Sequence, residues 1–155
     1  MSAPELRRDL VVLACAISAG IHGALTSDHF AESVGAGVGF AGTTVVLAGL
    51  VIALTLRPAS VLALAGAATV LGGLLAAYGL AISSGVPLLH PDPEPVEGLA
   101  LATKAVEAIG LVAAVGVLGR RAAPRPAPLF LATLVALFSA LVSLAVSGGH
   151  THGMH

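Results

Sequence analysis

The sequence predicts an all-α integral membrane bundle of five transmembrane helices, with the N-terminus cytoplasmic and the C-terminus extracellular. Three observations carry this. Hydrophobic side chains make up 57% of the 155 residues and charged ones only 10%, where a soluble domain carries about a quarter charged residues. The apolar residues fall into long runs with short polar or proline-rich breaks, so no polar shell remains to surround a soluble core. On a five-span path all six arginines fall on one side of the bilayer, as the positive-inside rule asks.

The first span is expected at about 10–25, a run a little short for a ~30 Å hydrocarbon core. The basic lead with Arg7 and Arg8, the short apolar run and the small residues Ala14, Ala16, Ser18 and Ala19 also describe a signal peptide; the segment is read here as a retained span. Thr26 and Ser27 are expected to cap a new helix at Asp28, whose carboxylate favours the positive end of the helix dipole. The second span, 34–56, is thinned by Gly35, Gly37, Gly39 and Gly42. Gly35 and Gly39 have the spacing that permits close helix approach, within one bundle or between copies. Arg57-Pro58 ends this span, because proline disfavours helix for the residue before it.

The third span, 59–84, carries Tyr78 and closes on Ser83-Ser84-Gly85. An exterior loop, 86–97, follows, in which Pro87, Pro91, Pro93 and Pro95 exclude a helix. The fourth span, 98–119, contains Lys104 and Glu107. A basic turn with Arg120, Arg121 and Arg125 leads to the fifth span, 129–146, and a histidine-rich tail, 147–155. The whole is a single transmembrane domain without an internal repeat. With no Trp and one Tyr it lacks the usual aromatic belt, so anchoring falls to charge and helix packing. Cys15 stands alone in the first apolar run, which gives no disulfide framework and marks it as a small core thiol.

Charge sorts strongly across this topology. The arginine-free side collects Asp28, Glu32, Asp92, Glu94 and Glu97 together with His29, His90, His150, His152 and His155, and His22 lies just inside it. Imidazole and carboxylate suit Cu(II), Zn(II) or Fe(II) better than Cu(I). The expected metal ligands are His22, His29 and Glu32 around the Thr26-Ser27 corner, with His90 in the loop and His150, His152 and His155 in the tail as further donors. Copper or zinc is favoured over iron. The plainer reading makes His29 and Glu32 solvated helix-start residues, and gives His22 a backbone carbonyl.

Lys104 and Glu107 are a separate feature, since ionisable residues within a span are rare and functional by default. Glu107 lies roughly 15 Å past Glu97 at 1.5 Å per residue, near the midplane, and the i, i+3 spacing lets the two side chains pair. They are either a self-neutralising pair that locks the bundle or part of a proton or ion pathway.

The corner from His22 to Glu32, the glycine-rich span ending in Arg57-Pro58 and the proline-rich exterior loop together resemble small polytopic membrane proteins of high-GC Gram-positive bacteria. The specific part of the likeness is the His-x6-His-x2-Glu pattern. That group often has proline where Ser27 stands, so the local helix start differs here. The resemblance implies no catalytic role for any residue.

Function is expected in the bacterial plasma membrane as metal binding or handling, or as a metal-bearing subunit. The rivals are a structural accessory subunit of a larger respiratory or oxygenase complex and a small proton-coupled carrier using Glu107 and Lys104. Five short helices enclose little, which points to a homo-oligomer or a subunit of a larger membrane complex in contact with the lipid bilayer. Catalysis is disfavoured, because no nucleophile and base share a useful spacing, although a metal site could activate water or oxygen. Nucleic-acid binding is disfavoured because the chain has no basic domain.

Overall fold

The computed structural model describes residues 2–84 and 95–119. These form four helices, α1 (Ala3–Glu32), α2 (Val34–Leu56), α3 (Val61–Ser84) and α4 (Gly98–Leu118). All four are long and apolar enough to cross a membrane. The expected fifth span, most of the loop 86–97 and the histidine-rich tail lie outside the described residues.

Helix α2 occupies the residues expected for the second span, and α3 and α4 lie within two residues of theirs. The large departure is α1. It runs unbroken for 30 residues through Thr26 and Ser27, so the expected corner there does not exist. The reason lies in the hydroxyls. Thr26 Oγ1 donates to the carbonyl of His22 (2.8 Å), a back-bond to residue i−4 that sits within a helix rather than opening one. Ser27 Oγ turns to the neighbouring Asp28 carboxylate (3.5 Å) and leaves the backbone uncapped. The break comes at Ser33 instead, where one extended residue separates two helices and the serine Oγ accepts from Ala36 N (3.1 Å). The ring of Phe30 then folds against Gly37, where any Cβ would overlap it. At 1.5 Å per residue α1 is about 45 Å long, enough to carry Arg7 beyond one side of a ~30 Å core and His29 beyond the other.

The opposite connection uses the same device. Arg57 N closes α2 on Ala53 O (2.9 Å), Pro58 blocks continuation, and Ser60 Oγ accepts from Ala63 N (3.2 Å) to start α3. Helix α1 is the centre of the described bundle, packed against α2 on one side and α4 on the other, while α3 lies chiefly on α4. Sequence neighbours α2 and α3 touch only lightly.

The face of α1 that turns inward carries Val11, Ala14, Cys15, Ser18, Ala19 and His22, the three- and four-residue spacing of one helix face. It meets Leu47 and Leu54 of α2, Leu64 and Leu71 of α3 and Ala113, Ala114 and Val117 of α4. Close approach at Gly35 and Gly39 was expected within one bundle or between copies, and among the described helices a Cβ on Gly39 would meet open space, which does not support the first alternative. The tight contact is at Gly110, where a Cβ would lie 2.5 Å from Ala14 Cβ and 2.9 Å from Leu71 Cδ1. Outward positions are large and apolar, with Val45, Leu56 and Val112 more than two-thirds exposed. An apolar exterior around buried Ser18, His22, Thr103 and Glu107 fits a lipid-bilayer environment and a multi-pass membrane protein.

The basic lead and the ends of α2 and α4 meet at one end of the bundle. Arg7 Nη1 donates to the carbonyl of Gly116 (3.3 Å), a cation at the negative end of α4. Arg8 and Asp9, paired at 2.8 Å, share a shallow groove with Thr55 and Pro58. Glu32, Ser33 and Glu97 belong to the other end.

Candidate functional site, a buried polar cluster between α1 and α4

In α4 the i, i+3 spacing brings Lys104 onto Glu107, with Nζ donating to Oε2 at 2.7 Å. Glu107 has no solvent-exposed surface, and the Lys104 side chain is 16% exposed. The second carboxylate oxygen is met from another helix: Ser18 Oγ of α1 donates to Oε1 at 2.7 Å. Both oxygens of a fully buried carboxylate are thus engaged, as burial of a charge demands. The Lys104 ammonium also lies over the ring of Tyr78 in α3, 5.6 Å from its centroid, where a cation is attracted by the negative π face. The Tyr78 hydroxyl is buried and has no hydrogen-bond partner among the described residues.

On α1 the cluster continues one turn along. His22 Nδ1 lies 2.8 Å from the carbonyl oxygen of Ser18 and 3.3 Å from its Oγ. A carbonyl oxygen only accepts, so this geometry puts the hydrogen on Nδ1 and leaves Nε2 as the open nitrogen. The Ser18 hydroxyl gives its one hydrogen to Glu107, so it can only accept from Nδ1–H, which bonds chiefly the Ser18 carbonyl and reaches the hydroxyl at 3.3 Å. Gly110, one turn beyond Glu107, lets α4 approach α1 closely enough for that short bond to form.

The second pair from the sequence lies at the end of α1. His29 Nδ1 is 2.8 Å from Glu32 Oε2, and these side chains are 25% and 46% exposed. His22 does not join them. With α1 continuous, seven residues place the two histidines about 10.5 Å apart along one axis rather than across a corner. The ring of Phe40 from α2 packs against both, with centroids 3.7 Å from His29 and 5.0 Å from His22. Among the described residues no group of three or more His, Cys, Asp and Glu side chains is gathered as a metal site. His90, His150, His152 and His155 lie outside the described residues.

Sequence reasoning paired Lys104 with Glu107 but missed Ser18, Tyr78 and Phe40. Ser18 had a readable signal, because it shares the three- and four-residue stripe of α1 with Val11, Cys15 and His22, and a polar residue on a buried stripe needs a partner. Phe40 had none, since its contacts depend on how α2 leans on α1.

No protein-family model, curated protein or solved structure matches the chain.

Proposed function

We propose that the chain is a small proton-coupled carrier of the bacterial plasma membrane that works by loading and unloading a proton on Glu107. Lys104 is its internal counter-charge, and Ser18 and His22 lead protons to it. The observation behind this reading is the Ser18–Glu107 hydrogen bond of 2.7 Å. A self-neutralising pair requires only Lys104 and Glu107. Ser18 adds a donor from a different helix and places the carboxylate next in line to an imidazole, a chain of ionisable groups of the kind that marks proton paths within membranes.

The polar chain reaches only partway through the bundle. Beyond Glu107, toward Gly116, the described helices are closed by Val11, Ala14, Leu71, Ala114 and Val117, all buried. A proton held on Glu107 leaves by that side only when helices move, which is carrier rather than channel behaviour. Purified protein in vesicles loaded with a pH-sensitive dye, with membrane potential clamped by potassium and valinomycin, should dissipate an imposed proton gradient faster than empty vesicles. Glu107→Gln should bring the rate back to that of empty vesicles. Wild-type flux equal to empty vesicles would favour the structural accessory subunit, in which the pair only ties α4 to α1.

A metal-handling role is the second reading, and one observation favours it. Both histidines turn Nδ1 to an oxygen acceptor, the Ser18 carbonyl and the Glu32 carboxylate, the orientation in which a protein presents Nε2 to a metal. In this reading His22, His29 and Glu32, with His90 and the tail histidines His150, His152 and His155 as further donors, hold copper or zinc at the extracellular face. Elemental analysis of untagged protein tests it with two variants, one truncated after Gly149 and the other carrying His22→Ala and His29→Ala. Loss of metal only in the double alanine places the site on α1, and loss only on truncation places it in the tail.

A further inference from the structure

We propose that Phe40 is a removable apolar barrier between the His29–Glu32 pair and the buried His22–Ser18–Glu107–Lys104 cluster, and that it sets the rate at which protons reach Glu107. This rests on the carrier reading above. The ring touches the imidazole of a partly exposed imidazole–carboxylate pair. It also touches His22, which is 7% exposed and leads to Ser18 and Glu107 at 0%. The two polar groups belong to one straight helix, yet their Nδ1 atoms turn away from each other's imidazoles, to Glu32 and to Ser18.

One ring from α2 packs on both imidazoles, tilted 34° to His29 and 36° to His22. A phenyl ring neither donates nor accepts a proton, and an apolar constriction excludes the water that would do so in its place. Phe40 is only partly buried, so its side chain is not locked inside the core as Leu47 is. The neighbouring backbone is fixed, because Ser33 links the helices by one residue and Phe30 is pressed onto Gly37. Movement of the barrier therefore falls to the Phe40 side chain.

The vesicle assay for proton flux, run on a size series at this position, tests the proposal. Phe40→Ala should raise flux about tenfold, the effect of a barrier lowered by about 1.4 kcal/mol. Phe40→Leu should fall between alanine and wild type, and Phe40→Trp should fall below wild type. Adding Glu107→Gln to Phe40→Ala should abolish the gain. If the alanine variant does not fold, the leucine and tryptophan variants still supply the order. Flux that does not follow side-chain size, or a gain that survives Glu107→Gln, overturns the barrier. Should Glu107→Gln alone abolish flux while the Phe40 series is flat, the barrier fails and the carrier reading stands. Should Glu107→Gln alone leave flux at the wild-type level, the carrier reading itself fails.

Discussion

Ser18 shows how much a single hydroxyl decides here. It lies 89 positions from Glu107 in the chain, and its removal leaves a buried carboxylate oxygen without a donor, a cost of about 1–3 kcal/mol for a buried polar group and more for a charged one. Ser18→Ala should therefore lower thermal stability in detergent more than Thr103→Val, because the Thr103 hydroxyl donates to the Leu99 carbonyl of its own helix. The ion pair predicts a second ordering. Removing one partner strands the other charge at ~3–5 kcal/mol, while replacing both can be nearly neutral. Glu107→Gln should thus lower the melting temperature more than the combined Lys104→Met and Glu107→Leu, and the reverse order would show that the pair is not desolvated as the geometry implies. The Lys104–Glu107 contact was legible in the sequence because it is local, two ionisable residues on one helix face. Its third member was legible only in part, because the α1 stripe marks Ser18 as a buried polar residue that needs a partner but does not say that the partner is Glu107.

At the scale of the element, the positions of the apolar helices were legible but the two ends of α1 were not, since the span expected at 10–25 runs from Ala3 to Glu32. Composition and proline placement were enough for α2, α3 and α4. The Thr26-Ser27 pair misled because a hydroxyl beside a helix can cap it or bond back to residue i−4, and only the surrounding helix decides between the two. Glycine spacing was a partial guide for a related reason. Spacing marks which glycines could receive a neighbour, whereas packing at Gly110 depends on Ala14 and Leu71 from two other helices. Gly110→Leu should consequently destabilise by about 1–3 kcal/mol, the usual cost of forcing extra atoms into a packed contact. Gly39→Leu, with open space at its Cβ, should be close to neutral. A thermal shift measurement on both variants checks the contrast, and equal losses would mean that α1 and α4 do not cross as described.

For the molecule as a whole, the gathering of Arg7, Arg8 and Arg57 at one end sets the expected orientation, with that end cytoplasmic. In a Cys15→Ala background, Ser33→Cys should react with an impermeant maleimide added to intact cells, and Pro58→Cys should react only after lysis. A reporter fused after His155 extends the test to the fifth span, and should report an extracytoplasmic position. The same architecture divides the helices unequally. Ser33 joins α1 to α2 without slack and Phe30 wedges the joint, which couples those two helices tightly. Helix α3 rests on α4 and only lightly on α2, while α4 itself packs still more extensively on α1. On the carrier reading, a rearrangement that exposes Glu107 to the opposite side works against the seam where α4 packs on α1. The Ser18–Glu107 hydrogen bond crosses that seam as a clasp, and protonating the carboxylate is a direct chemical way to loosen it.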